Sequence, residues 1–121
     1  MATYVEINGS KYPASITGRL SDKDWNNRES KAIRLEMTYA DVIATFIDDV
    51  FWNIVQENEV QHEVMNEEGN VSFETIIETD VYDNSDYCIA GDVIDHRDGT
   101  VTVKMGKPTA EELLIMLEEV M

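Results

Sequence analysis

The sequence predicts an α+β fold: a mainly antiparallel sheet or open barrel with one helix after the third strand and another at the C-terminus. Three observations predict it, namely alternating apolar runs between turn residues, one run with helical apolar spacing, and a capping box near the end. The chain has 121 residues, 43% of them hydrophobic, which is enough for one core. We therefore expect a single domain over residues 1–121.

The first two strands form a predicted hairpin. Residues 3–7 alternate between apolar and polar, Asn8-Gly9 is typical of a type I′ turn, and residues 11–20 return as the second strand. Pro13 lacks a backbone N–H, so it predicts a sheet edge or a bulge at that point.

A polar segment, residues 21–30, predicts a loop that is mobile or wraps over the sheet. Its one large apolar residue, Trp25, is either a lid pinned to the core, which we favour, or an exposed contact residue. Residues 31–37 alternate again and predict the third strand.

The clearest helix follows, because Thr38 and Asp41 have the spacing of an N-terminal capping box. Its apolar residues recur at the offsets of one helical face: Tyr39, Val42, Ile43, Phe46, Ile47 and Val50.

A long hairpin is predicted next, with a turn at residues 66–70. Its outer part, about residues 57–80, has few apolar and many acidic residues, so we expect an arm that can project beyond the core. An apolar stripe on this arm needs a partner and is the candidate interaction surface. The candidate contact residues are Val60 and Val64, expected opposite Val71 and Phe73, together with Trp25.

The C-terminal part predicts one more hairpin and one more helix. Residues 88–95 and 100–105 alternate around a turn at residues 96–99. Thr109 and Glu112 form a second capping box before the final apolar run.

The net charge of −16 lies entirely in the middle of the chain. Between Leu35 and His96 there are sixteen Asp and Glu and no Lys or Arg, whereas the two ends are electrically balanced. This distribution argues against direct nucleic-acid binding and favours a basic partner, a cation, or solubility alone.

No motif predicts catalysis or a cofactor. The glycines form no phosphate-binding loop, and His62 and His96 lie in different hairpins. Cys88 lies in an apolar strand, where a free thiol is usually a small core residue. We expect a protein that is not an enzyme and needs no cofactor.

Calcium is the metal that the acidic turns bring into question. Asp80, Asp83, Asn84 and Asp86 supply four oxygen side chains within seven residues, and Asp95 and Asp98 could lie near them. Asp and Asn are also common turn formers, and the spacing does not match an EF-hand. Turn chemistry is the favoured interpretation, and a calcium-stabilised module stays an alternative.

The location predicted from the sequence is the cytoplasm or a virion. A lone cysteine indicates no disulfide framework, and no apolar run approaches the roughly 18 residues of a membrane helix. We therefore expect no membrane partner.

Three stretches carry a resemblance: VEINGSKYPASITGRLSDKDW, RESKAIRLEMTYADVIATF and YDNSDYCIAGDVIDHRDGTVTVKMGKPTAEELL. Together they resemble a group of short proteins encoded in phages and prophages of Gram-positive bacteria, often taken to be virion- or tail-associated. The match covers about three-quarters of the chain and leaves out the acidic segment near residues 57–80. The resemblance implies a structural or assembly role and brings no catalytic residues.

The function predicted from all of this is a non-enzymatic protein-interaction or assembly module with a protein partner, including self-association into a homo-oligomer. The alternative is an acidic inhibitor or DNA mimic that binds a basic protein.

Overall fold

The computed structural model describes residues 2–120, apart from the side chains of residues 116, 119 and 120. In this part of the chain the fold is α+β and dominated by antiparallel sheet. The elements are β1 Ala2–Ile7, β2 Ser10–Asp22, β3 Arg28–Leu35, α1 Tyr39–Thr45, β4 Trp52–Met65, β5 Val71–Asp83, β6 Ile89–Asp95, β7 Val101–Gly106 and α2 Ala110–Val120. The prediction of sheet-dominated α+β structure is therefore confirmed.

The strands follow the order β5-β4-β1-β2-β3-β7-β6, so β5 and β6 are the two edges. Asn8 and Gly9 both have positive φ, 53° and 79°, as a type I′ turn requires between β1 and β2. Two connections join strands that are not neighbours in the sheet. The first runs from β3 to β4 through α1, and the second runs from the edge strand β5 to the edge strand β6.

Pro13 marks the point where β2 changes its neighbour. Before it, β2 pairs with β1, and the last pair joins Pro13 to Tyr4. From Ala14 onwards β2 pairs with β3 instead. A residue without an N–H is tolerated where one side of the strand loses its partner.

The core gathers buried residues of β1, β3, β4, β7 and α1, together with Phe46 directly after α1 and Tyr87 from the segment before β6. Its residues are Val5, Ile7, Ile33, Leu35, Val42, Phe46, Trp52, Ile54, Tyr87, Val101, Val103 and Met105. None of them comes from residues 58–78. Trp52 is the largest fully buried side chain, and its indole Nε1 donates to the carbonyl of Tyr87 at 3.1 Å.

The loop predicted at residues 21–30 is much shorter than expected. β2 continues to Asp22 and β3 begins at Arg28, with only a short 3-10 turn between them. Three polar residues of this segment, Asp22, Arg28 and Ser30, are buried, and each has hydrogen-bond partners. The carboxylate of Asp22 accepts from Lys104 Nζ at 3.0 Å and from Ser30 Oγ at 3.1 Å, and these hydrogen bonds hold its pKa below the usual range.

Helix α1 begins as predicted and ends earlier. Thr38 Oγ1 accepts from the N–H of Asp41 at 3.1 Å, which confirms the cap. Phe46 already has a non-helical backbone, and Asp49 has a positive φ of 62°. As a result Val42 and Phe46 enter the core, whereas Tyr39, Ile43 and Ile47 are about half exposed.

An ion pair links helix α2 to the body. Thr109 and Glu112 form the predicted reciprocal capping box. The carboxylate of Glu112 also accepts hydrogen bonds from both terminal nitrogens of the buried Arg28, at 2.7 and 3.2 Å. The Arg28 hydrogen bonds, followed by the Thr109 N–H, lower the pKa of Glu112 to about 2 from an ordinary 4.5.

The lowered pKa of Glu112 makes the attachment of α2 to the body depend on pH. A depressed carboxyl pKa adds stability that is complete above pH 4.5 and is lost as the pH falls towards 2. We expect the NMR chemical shifts of residues 113–117 to titrate in that window in the native chain. In Glu112→Gln they should already have the low-pH values at neutral pH.

The matched control for this titration is Glu111→Gln, on the adjacent, exposed residue of the same helix turn. It should titrate as the native chain does. Identical titrations in Glu112→Gln and the native chain would contradict the assignment of the ion pair as the tether.

Candidate interaction site

The hairpin of β4 and β5 extends past the rest of the sheet. The pairing of β4 with β1 ends at Ala2 and Glu57. Eight further pairs, from Asn58–Glu78 to Met65–Val71, join β4 only to β5. We call residues 58–78 the arm. At about 3.4 Å per residue, its strands run for about 27 Å beyond the end of β1.

The sequence-based register of this arm was wrong. Val60 pairs with Ile76 and Val64 with Ser72, whereas Val71 pairs with Met65. Phe73 pairs with Glu63. Because paired residues share a face and successive residues alternate, Val60 and Val64 lie on one face and Val71 and Phe73 on the other. Pairing across a five-residue turn joins odd positions to odd and even to even, so the single predicted stripe is divided between the two faces.

The two faces of β5 have different chemistry. Its odd-numbered residues carry no charge between residues 71 and 81: Val71, Phe73, Thr75, Ile77, Thr79 and Val81. Its even-numbered residues include Glu74, Glu78 and Asp80, all exposed. Phe73 is 67% exposed and Ile77 60%, although both are large apolar side chains. We call the odd-numbered apolar residues Val71, Phe73, Ile77 and Val81 the apolar column.

The root of the arm is fixed by packing and by one ion pair. Val55 is buried and pairs with Tyr4 on one side and Val81 on the other. Lys11 Nζ lies 2.5 Å from Glu57 Oε1 and 4.5 Å from the centre of the Tyr4 ring. The hydrogen bond that Lys11 donates to Glu57 raises the pKa of Lys11. β4 and β5 are therefore held in place at the point where the arm leaves the sheet.

The acids of the arm have no basic partners within the described residues. Six of the nine basic residues already form ion pairs with acids of the same chain: Lys11, Arg19, Arg28, Arg34, Lys104 and Lys107. None of these pairs involves residues 58–78, which hold six glutamates. The arm therefore presents an uncompensated negative charge beside an apolar column.

Trp25 lies away from the arm, in the 3-10 turn between β2 and β3. Its ring lies against the backbone of Gly91 and Gly106, so close that a Cβ on Gly91 would come within 2.6 Å of it. The central carbon of the Arg28 guanidinium lies 4.7 Å from the centre of the Trp25 ring. This geometry is that of a pinned lid, and it does not bring Trp25 together with Val60, Val64, Val71 and Phe73.

The residues considered for catalysis are far apart. Cys88 precedes β6 and His96 follows it, so a strand of seven residues, roughly 25 Å with its ends, separates them. The imidazole Nε2 of His96 lies 2.7 Å from Thr102 Oγ1. Burial, followed by the charge of Asp49, raises the pKa of the Cys88 thiol, which lowers its nucleophilicity at neutral pH.

The acidic turns are occupied by their own hydrogen bonds. Asp83 accepts from the N–H of Ser85, Asp95 from that of Arg97, and Asp98 from that of Thr100, each at 2.9 Å. Asn84 accepts from Lys31 Nζ. Among residues 2–120 no group of three His, Cys, Asp or Glu is placed to hold a metal ion. The hydrogen bonds of Asp83, Asp95 and Asp98 are of the kind that the turn-forming interpretation predicts.

Two residues of the apolar column, Ile77 and Val81, were not among the sequence-based candidates for the interaction surface. The alternation that places them beside Val71 and Phe73 is visible in the sequence. The free edge that exposes them is not, because it depends on which strands pair with β4.

Comparison with protein-family models, with curated proteins and with solved structures found no match to the chain. Neither of the helices that the structure describes has the length and apolar character needed to cross a membrane.

Proposed function

We propose that this chain is a non-enzymatic protein-interaction module that docks a protein partner along β5. One observation carries the proposal: all thirteen residues of this edge strand are exposed, and four of them form the apolar column. Edge strands are usually protected by lysine, proline or a covering element. β5 contains no Lys or Pro, and β4 is the only strand that pairs with it in the described chain.

The setting of this module belongs to the same proposal. The resemblance to phage and prophage proteins supports a role in a virion or tail, and an exposed hairpin is a common means of joining subunits by strand addition or exchange. The proposal includes the open-barrel form of the sheet, in which the edge strands β5 and β6 do not pair with each other. It locates the protein in the cytoplasm of the producing cell or in the virion.

An acidic inhibitor or DNA mimic is the second candidate, favoured by the unpaired glutamates of the arm. Carboxylates would then imitate phosphates for a basic protein. This candidate predicts binding that weakens steeply with salt, because it depends on charge more than on apolar contact.

A photo-crosslinking experiment tests the docking surface. The substitution is Ile77→benzoylphenylalanine on β5, in the cells that encode the protein. Ile94→benzoylphenylalanine is the matched control, since Ile94 is a similarly exposed isoleucine on the other edge strand. We expect a discrete crosslinked product, with a second copy or another protein, from position 77 alone. No product at 77, or the same products at both positions, would contradict the proposal.

Removal of the arm should leave the body folded. Replacing residues 58–78 by Asn-Gly closes the hairpin directly after the pair Glu57–Thr79 with a turn suited to two residues. The core contains no residue of the arm. We expect the free energy of unfolding to change by less than about 1 kcal/mol in urea titration, because a two-stranded ribbon adds little stability. A loss of several kcal/mol would show that the arm packs on the body.

A further inference from the structure

The chemistry of β5 identifies the kind of partner it can receive, an inference that rests on the proposed function. We infer that β5 binds an extended segment of another polypeptide in which apolar residues alternate with lysine or arginine. The segment adds to the sheet as a new edge strand beside β5.

The backbone of β5 supplies the first part of this recognition. With β4 on one side only, about half of the N–H and C=O groups of its thirteen residues point away from the sheet. An added strand satisfies these groups whatever its sequence, so the backbone provides affinity without specificity.

The side chains of β5 supply the specificity. A residue of the added strand shares the face of the β5 residue that it pairs with. Residues paired with Phe73 or Ile77 therefore lie beside the apolar column. Residues paired with Glu74 or Glu78 lie beside carboxylates that form no ion pair within residues 2–120. Apolar and basic residues must alternate to match both faces.

A second copy of this chain fits β5 poorly. Two β5 strands related by a twofold axis pair antiparallel with even-numbered residues opposite even-numbered residues, so the acids of both copies lie on one face of the sheet. Pairing about Ile77, for example, places Glu74 opposite Asp80. Like charges directly opposite are destabilising, and the net charge of −16 opposes the approach of two copies.

The chain's own alternating apolar and basic strand is not available as the partner. β7, which reads Val-Thr-Val-Lys-Met-Gly over Val101–Gly106, is already paired with β3 on one side and β6 on the other. Lys104 on this strand binds the buried Asp22. The partner strand must therefore come from another polypeptide.

Synthetic peptides test this inference on the full chain. The probe is a capped nine-residue peptide in which valine and lysine alternate, and binding is measured by calorimetry at 100 mM salt. Two control peptides have the same side chains, one with the lysines grouped in a block and one with all backbone amides methylated. We expect the alternating peptide to bind at least tenfold more tightly than either control. Its binding should shift the NMR amide signals of β5.

Two charge variants distinguish the effect of the glutamates on β5 from the effect of the net charge of the arm. E74K/E78K and E67K/E68K change the charge of the arm equally, but only the first pair lies on β5; the second lies in the turn. We expect at least tenfold weaker peptide binding for E74K/E78K and less than threefold for E67K/E68K. Circular dichroism verifies the fold of both variants. The methylated peptide tests backbone pairing on the native chain, so this test does not depend on whether a variant folds.

Several outcomes would overturn the inference. Equal binding of the alternating and control peptides, or equal losses in both variants, would show attraction by charge alone. Signals that move on β2 or β6 instead would place the strand elsewhere. No peptide binding, together with a dimer by light scattering that the Asn-Gly truncation abolishes, would overturn the inference and keep the proposed function. No peptide binding and no crosslinked product at position 77 would overturn both.

Discussion

Trp52→Ala is expected to lower the free energy of unfolding by about 3–5 kcal/mol, which is a large part of the stability of a typical domain. Trp52 is 1% exposed, and its ring meets Tyr87 edge-on with centroids 6.3 Å apart. Its backbone also joins β4 to the turn after β5, because its N–H donates to Ser85 Oγ and its carbonyl accepts from the N–H of Asn84. The substitution leaves a cavity at the root of the hairpin.

The neighbouring aromatic residue provides the control for this substitution. Phe51 is 83% exposed, so Phe51→Ala should change the free energy of unfolding by less than about 0.5 kcal/mol. Urea unfolding followed by circular dichroism measures both variants. Similar effects at positions 51 and 52 would contradict the core that the structure shows.

Gly91→Ala is the second substitution with a large expected effect. A Cβ at this position would come within 2.6 to 2.9 Å of three carbon atoms of the Trp25 ring. The ring must then move off the sheet or the strand must shift, and overpacking of this kind costs about 1–3 kcal/mol. The same substitution in a Trp25→Ala background should be nearly neutral, because the clashing ring is gone.

The double-mutant cycle formed by these variants isolates the contact between Trp25 and Gly91. Thermal unfolding of the four proteins gives the coupling. Gly18→Ala is the matched control, since a Cβ there meets only the Lys31 side chain at 4.0 Å. A cost for Gly91→Ala that persists without Trp25 would show that the ring is not a pinned lid.

The strands could be predicted because their alternation and turns are local properties of the sequence. Asn8-Gly9 fixes the first hairpin, and residues 66–70 close the longest one. Both helix caps follow from side chains three residues apart, Thr38 with Asp41 and Thr109 with Glu112.

Other features depend on contacts between distant residues and could not be predicted. Asp22 looked like a loop residue because its partner Lys104 lies 82 residues away. α1 ends early because the segment after it binds β6: Asp48 accepts from the N–H of Ala90, and Asp49 donates to Cys88. The register of the arm, in contrast, follows from the length of its turn, because a five-residue turn pairs odd-numbered positions with odd-numbered ones and even with even.

The candidate site was predicted in part. The composition showed where the acids lie, but it did not show which strand forms the open edge of the sheet. The sequence located the hairpin that carries Val71 and Phe73. It could not show that β4 pairs with β1 on its other side, which leaves β5 as the outermost strand. Strand order is decided by packing of the whole core and has no local pattern.

Within residues 2–120 the two strands of the arm pair only with each other, so the length of the arm is independent of the rest of the sheet. Each residue pair adds about 3.4 Å of reach without changing a core contact. Loss or gain of two pairs at a time keeps every remaining side chain on its face, whereas one pair exchanges the faces beyond that point. The number of residue pairs therefore sets how far the tip of the hairpin lies from the body.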